Sequence, residues 1–230
     1  ANFPKPTKET PPLLSHGEVE TFFHEFGHIM HAVLTRSRYA SQAGYNTVWD
    51  FVEAPSQMLE NWTWDKEMLL LLSEHYRTKE PFPESDLMNL LGAKYFLVFS
   101  ETIRQLVLGT FDLALHKQPV RKPIEAMYRN ISVAFTGIPP YAKSIFPAGF
   151  GHMMGGYAAG YYGYLWSKVY ASDMFTRFEK EGLLNPKTGG DYRKWILEKG
   201  SSMEEIELVK KFLGRKPNNR AFLKEIGALK

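Results

Sequence analysis

Apolar residues recur at helical spacing along much of the chain, and proline interrupts the pattern at intervals. This pattern predicts helices over residues 18–36, 57–76, 84–116 and 124–135. The prolines that separate the later helices are Pro81, Pro83, Pro119 and Pro123. Residues 38–49 differ, because a turn sequence there precedes the β-favouring residues Tyr45, Thr47, Val48 and Trp49. We therefore predict one mainly α-helical domain with a small β element.

The first predicted helix carries the sequence His24-Glu25-Phe26-Gly27-His28. Positions i and i+4 lie on one face of a helix, so both histidines can bind the same metal ion. Glu25 is rotated away from that face and can reach a water on the metal, which suits a general base. The pattern alone does not decide the matter, because an ordinary helix can also carry two histidines on a partly buried face.

A catalytic zinc site needs a third protein ligand and one open position. In the metzincin pattern a glycine at position 31 and a histidine at position 34 would follow, but this chain has His31 and Leu34. A carboxylate on the next helix is then the best candidate, and Pro55 marks the first turn of that helix. Glu53 and Glu60 both qualify, two turns apart on one face, and their spacing leaves the choice open.

A second candidate for chemistry is the glycine-rich segment over residues 149–164. So many glycines in a helical protein predict a loop that bends or approaches a ligand closely. Tyr157, Tyr161 and Tyr164 follow i, i+4, i+7 spacing, so their hydroxyls would share one face of a helix. Such a stripe can simply pack in a core, but neutral donors beside His152 could also stabilise an oxyanion during amide hydrolysis.

Three motifs in this order resemble the thimet oligopeptidase family of zinc metallopeptidases: residues 19–31, residues 50–62, and the segment from Phe150 to Trp166. The resemblance implies a zincin-like helical catalytic region that binds one zinc ion through His24, His28 and Glu53. It implies that Glu25 is the general base. It also matches a further set of residues to positions that contact the substrate and the oxyanion, namely His152, Tyr157, Tyr161 and Tyr164.

The resemblance extends across essentially all of the 230 residues. Members of the family are several times longer, and the matched region is their C-terminal part. The resemblance therefore implies that residues 1–230 are the metal-bearing catalytic region of a longer oligopeptidase that hydrolyses short peptides. The N-terminal part, which forms the opposite wall of a deep channel in the family, would then be a partner of this region.

The composition of the chain argues against several other classes of function. The chain has 28 basic and 25 acidic residues and a net charge of +3, so charge gives no reason to expect nucleic acid as a partner. It has no cysteine, which excludes disulfides and thiol catalysis and fits a reducing compartment. The longest apolar run, residues 68–72, is too short to span a bilayer, and no apolar signal run opens the chain. We expect a cytoplasmic protein without membrane contact.

Two alternative functions remain: a zinc-binding but inactive fragment or interaction module, and a structural helical domain with an accidental motif. Only the second predicts that no stoichiometric zinc is bound.

Other histidines and Glu60 have simpler interpretations. We expect His31 to be a packed or hydrogen-bonded helix residue rather than part of the site. Glu60 either orients a ligand histidine or faces solvent. Three further histidines stand beside polar residues and are predicted to face water, namely His16, His75 and His116.

Overall fold

The computed structural model describes residues 2–117 and 123–229, so the predicted break at Pro119 lies outside the described residues. The larger helices are α1 (His16–Val33), α5 (Glu84–Ala93), α6 (Val98–His116), α7 (Ile124–Thr136), α9 (Gly163–Glu181) and α11 (Glu205–Leu213). The shorter helices are α2 (Trp49–Val52), α3 (Ala54–Glu60), α4 (Lys66–Leu72), α8 (Phe146–Gly149), α10 (Pro186–Tyr192) and α12 (Arg220–Glu225). Within these ranges, no helix is both long and apolar enough to cross a membrane.

The prediction of a mainly helical protein is confirmed, but the predicted small β element over residues 38–49 is wrong. That segment contains a short 3-10 helix, Ala40–Gln42, and then turns into α2 at Trp49. The β-favouring residues have no strand to pair with, since the β pairing in the described ranges is one isolated bridge between Glu74 and Pro81. Their aromatic side chains pack individually instead, as Trp49 does against the ring of Tyr157.

Two predicted helices are each divided. The helix predicted over residues 57–76 consists of α3, a 3-10 turn and α4, which starts anew where Asp65 accepts the Met68 N–H at 3.0 Å. The helix predicted over residues 84–116 is broken at Leu97, whose φ of 61° lies in the left-handed region. Helical spacing continues across both breaks, so periodicity alone could not reveal them.

Helix α1 has a clear start and a close packing partner. Ser15 and Glu18 form a capping box, in which each side chain bonds to the backbone N–H of the other residue. Gly27, inside the histidine motif, lets α1 lie directly against α3, because a Cβ at this position would be 2.5 Å from the Ser56 Cα. This contact brings the face with His24 and His28 to the start of α3.

Two clusters of buried apolar residues hold the two halves of the candidate site. The larger cluster joins α2, α3, α9 and α11, and includes Phe51, Met58, Met174, Leu208 and Phe212. The second cluster joins α6 to the glycine-rich segment, and consists of Leu108, Phe111, Phe150, Met153 and Tyr161. Helix α1, which carries the histidine motif, packs against the first cluster, and Tyr161 and Tyr164 pack in or against the second.

Candidate active site

Three side chains converge where α1 meets the junction of α2 and α3. His24 and His28 come from α1, one turn apart, and Glu53 is the residue between α2 and α3. Glu53 Oε2 lies 3.3 Å from His24 Nε2 and 3.1 Å from His28 Nε2. One donor atom from each of the three residues lies within 4.8 Å of the others. In the described ranges, this is the one group of histidine and acidic residues with that spacing.

The spacing and chemistry of these donors fit a zinc ion. Ligand atoms held about 2.0–2.2 Å from one tetrahedral centre lie roughly 3.3–3.6 Å from one another. The separations of 3.1 and 3.3 Å from Glu53 Oε2 to the two imidazoles are close to that range. Two imidazoles and one carboxylate are also the ligand set of a hydrolytic zinc site, which leaves a fourth position open.

Glu60 lies behind His24. Its Oε1 is 2.7 Å from His24 Nδ1, and because a carboxylate can only accept, Nδ1 carries the proton and Nε2 faces Glu53. Lys168 Nζ lies 3.4 Å from Glu60 Oε2 on the other side. Burial opposes ionisation of Glu60, but Lys168 and His24 outweigh it and lower the pKa of the carboxyl. The open choice for Glu60 is resolved: it contacts and orients a histidine rather than facing solvent.

The electrostatics of the three convergent side chains depend on one another. Glu53 is 2% exposed and accepts hydrogen bonds from Ser56 Oγ at 3.2 Å and from the Tyr157 hydroxyl. Burial would raise its pKa, but bonds to His24, His28 and Tyr157 hold that pKa well below the usual range. Burial would likewise lower the pKa of His24, but bonds to Glu53 and Glu60 raise it to about 9. Protons therefore compete with a metal ion for this site.

Glu25 stands apart from the three convergent residues. It lies between the two histidines on α1, its side chain is exposed, and it does not belong to the group with metal-ligand spacing. This is the placement that the sequence predicts, since a residue next to His24 is rotated by about 100° around the helix. Glu25 is therefore free to reach a group beside the metal position rather than the metal itself.

The glycine-rich segment is not a continuous helix, because α9 begins only at Gly163. Its tyrosines meet nevertheless. The ring of His152 lies 5.7, 5.2 and 5.6 Å from those of Tyr157, Tyr161 and Tyr164, and the rings of Tyr157 and Tyr164 stack at 5.2 Å. The Tyr157 hydroxyl donates to Glu53 Oε1, which joins this aromatic cluster to the convergent histidines. The structure therefore brings all of the sequence-predicted site residues except Glu25 into two adjoining groups.

The hydroxyls in the aromatic cluster stay protonated at neutral pH. Burial and the nearby charge of Glu53 raise the pKa of Tyr164 from 10.0 to about 12. Burial also raises the pKa of Tyr161, and burial together with the bond to Glu53 raises that of Tyr157. A cavity of about 430 Å³ opens beside His152, Tyr161 and Tyr164. Neutral hydrogen-bond donors thus border a space that a ligand could enter.

The remaining histidines behave differently from one another. His75 is exposed, as predicted, and His116 is exposed at one edge but bonds to Asp112 through Nδ1 at 3.0 Å. The prediction that His16 faces water is wrong, because its Nε2 lies 2.8 Å from the Thr63 carbonyl and its ring packs on Trp64. His31 is fully buried, which confirms a packed helix residue, and neither ring nitrogen has a hydrogen-bond partner within the described ranges.

The burial of His31 predicts a loss of stability in acid. Burial, with a smaller effect from the charge of His28, lowers its pKa from 6.5 to about 4. Between these values the unfolded chain takes up a proton that the folded chain refuses, so stability falls as pH falls through that window. The loss from pH 7 to pH 4 is about 3 kcal/mol for this residue. Urea unfolding of metal-free protein at both pH values should show a smaller loss in His31→Leu, and equal losses would contradict the assignment.

The fold and site define a helical protein in which two histidines of α1 meet a carboxylate from the junction of α2 and α3. The family model for "Peptidase family M3" matches residues 1–228, and the chain belongs to this peptidase family. It is 43% identical to oligopeptidase A of Salmonella typhimurium, over 98% of this chain and 34% of that protein. It is also 43% identical to saccharolysin of Saccharomyces cerevisiae, over 98% of this chain and 32% of that protein. The chain thus spans about a third of the length of these relatives.

A solved structure of PZ peptidase A with an inhibitor has the same fold. Its TM-score to this chain is 0.64 at 16% sequence identity, and the match covers 92% of this chain and 36% of that one. At this identity the likeness concerns the fold alone. The helices of this chain thus match about a third of that longer chain.

Proposed function

We propose that this chain is the zincin-like catalytic region of a zinc-dependent oligopeptidase, a metalloendopeptidase that hydrolyses peptide bonds in short peptides. The observation that carries the proposal is the convergence of His24, His28 and Glu53 at the spacing of zinc ligands. An accidental motif would not bring a buried carboxylate from the junction of two other helices to both imidazoles. The peptidase family and the oligopeptidase relatives support the reaction class.

In this proposal His24, His28 and Glu53 hold one zinc ion, and Glu60 keeps the His24 ring oriented through Nδ1. When bound, zinc supplies a Lewis acid that polarises the scissile carbonyl and acidifies the attacking water. Glu25 accepts the proton of that water on a carboxylate oxygen and delivers it to the leaving amine. Its exposed position beside the two histidines suits a group that must meet both water and substrate.

The aromatic cluster supplies the other half of the chemistry. Amide hydrolysis develops negative charge on the carbonyl oxygen, and neutral donors aimed at that oxygen stabilise it. We assign this role to His152, Tyr161 and Tyr164, whose rings contact one another and which line the cavity of about 430 Å³ together with Glu60. Tyr157 donates to Glu53, so we assign it to holding that carboxylate in addition to contacting the substrate.

The same proposal includes short peptides as substrates, a cytoplasmic location and a catalytic region over residues 1–230.

A face of α1 indicates where a further part of the protein would bind. The chain spans 34% of oligopeptidase A, and apolar residues line this face of α1 at helical spacing. Phe22, Phe26, Ile29 and Val33 on that face are 43–68% exposed. We propose that an N-terminal part of a longer protein covers this face and forms the second wall of a substrate channel.

Hydrolysis of a quenched fluorescent peptide tests the function. We expect turnover in a protein that joins this region to an N-terminal part like that of its relatives, and very weak turnover in the 230-residue chain alone. A single wall cannot position a substrate or exclude water. Zinc should be present in both proteins. Zinc without turnover in the longer protein would instead support an inactive, metal-binding module.

Tyr164→Phe is predicted to lower kcat while leaving KM nearly unchanged. A donor that bonds only the developing oxyanion stabilises the transition state selectively, and removing one such donor costs on the order of a hundredfold in kcat. The matched control is Tyr141→Phe, which removes a hydroxyl from an exposed tyrosine outside the aromatic cluster. Steady-state kinetics with equal kcat for Tyr164→Phe and the wild type would contradict the role.

A further inference from the structure

Asp112 on α6 is a fully buried carboxylate that bonds to the backbone of the glycine-rich segment. Its side chain is 0% exposed. Oδ1 accepts the Ala159 N–H at 3.0 Å, and Oδ2 accepts the Tyr161 N–H at 3.0 Å. The two amides flank Gly160, so one carboxylate clamps both sides of a single residue. Charge-assisted bonds of this kind are stronger than those between neutral groups.

The backbone at this point needs support from outside. Ala159 has a φ of 58°, a left-handed conformation that a residue with a Cβ rarely adopts. Gly160 lies against the Trp49 ring so closely that a Cβ would be 3.3 Å from its carbons. The bonds to Asp112 compensate for a conformation that the local sequence disfavours.

The clamp fixes the residues that carry the tyrosine rings. Tyr161 bonds to Asp112 directly through its N–H, and the Tyr157 carbonyl accepts the Gly160 N–H at 2.8 Å within the clamped turn. The ring of Tyr164 then lies 5.1 Å from that of Tyr161 and stacks on that of Tyr157. A shift of the turn would therefore move the Tyr157 and Tyr161 hydroxyls relative to Glu53 and change their packing against Tyr164, which lies on α9.

His116 holds the carboxylate in place from the other side. It lies one turn after Asp112 on α6, and its Nδ1 is 3.0 Å from Asp112 Oδ1 and 2.8 Å from the Asp112 carbonyl. The imidazole is partly exposed, whereas the carboxylate is buried. One N–H directed at both oxygens restricts the rotation of the Asp112 side chain.

We propose that Asp112 is a positioning residue for peptide hydrolysis: through the backbone of Ala159 and Tyr161 it sets the position of Tyr157 and Tyr161 and their packing against Tyr164, and His116 supports it. The inference rests on the proposed peptidase function. It assigns Asp112 no contact with the substrate or the metal ion. Asp112 affects the reaction only through the geometry of the glycine-rich segment.

Asp112→Asn is the direct test, because asparagine keeps the shape but presents an N–H group to one of the two amides. Loss of one charge-assisted bond should speed hydrogen exchange of the amides in residues 157–162 by roughly tenfold or more. Zinc content should stay at the wild-type level. In a hydrolytically active protein that contains this region, kcat should fall at least about tenfold with little change in KM. The matched control, Asp86→Asn, removes an exposed carboxylate on α5.

A milder variant keeps the test decisive if Asp112→Asn does not fold. His116→Ala removes a partly exposed ring and should speed exchange in the same residues by roughly threefold. Unchanged loop exchange in both variants, or faster exchange with unchanged kcat, would overturn the proposal. Hydrogen exchange needs neither zinc nor turnover. A wild-type protein without zinc or hydrolysis would therefore refute the proposed function separately, while the exchange data would still decide whether Asp112 anchors the loop.

Discussion

Glu25→Gln is expected to keep zinc and to lose peptide hydrolysis. The substitution removes the proposed general base but none of the three convergent donors, His24, His28 and Glu53. General base catalysis contributes on the order of 10²–10⁴ in rate, so kcat should fall by about that factor. Zinc quantification and peptide hydrolysis should be measured on the same preparation of a hydrolytically active protein that contains this region.

The matched control for this experiment is Glu67→Gln, which changes an exposed glutamate on α4 in the same way. It should keep both zinc and turnover. If Glu25→Gln lost zinc together with activity, Glu25 would have to be a ligand, and the assignment of the base would be wrong. Activity within a factor of a few of the wild type would contradict the assignment equally.

Glu53→Gln is expected to weaken zinc binding more than Glu60→Gln does. Glu53 places Oε2 next to both imidazoles, whereas Glu60 contacts only one of the two, His24, and does so at Nδ1. Removing a carboxylate that orients a ligand typically weakens metal binding by about 10–100-fold. Loss of a ligand itself should exceed that range, so Glu53→Gln should bind zinc more weakly than Glu60→Gln.

Competition with a chromogenic chelator at fixed pH measures both dissociation constants. The pH must be held constant, because protons compete with zinc for His24, whose pKa is raised to about 9. Equal losses in Glu53→Gln and Glu60→Gln would contradict the assignment of Glu53 as the third ligand. Stronger loss in Glu60→Gln would exchange the two roles.

The sequence was most informative about structure where one local pattern was sufficient. Helix α1 could be predicted because its caps, its apolar spacing and its histidine motif agree within one stretch of residues. The strand predicted before Trp49 fails because β propensity depends on a neighbouring strand, and none pairs with it in the described part of the chain. The break at Leu97 depends on a left-handed backbone that periodicity does not encode.

The residues of the candidate site could likewise be predicted only in part. The motif fixed His24 and His28 through the helical repeat, but the choice of Glu53 over Glu60 needed either resemblance or geometry. Asp112 gave no local signal at all, since it acts on amides 47 and 49 residues away. Lys168, which meets Glu60 across 108 residues, is equally invisible in the sequence. Residues that position other residues across the fold become recognisable only in three dimensions.

The zinc content of the purified chain tests directly whether His24, His28 and Glu53 form a zinc site. Three convergent ligands should retain about one zinc ion per chain after dialysis against metal-free buffer at pH 7.5. Elemental analysis of the wild type should be compared with a protein that carries both His24→Ala and His28→Ala. We expect about one equivalent of zinc in the wild type and close to none in the double variant. Equally low zinc in both proteins would contradict it.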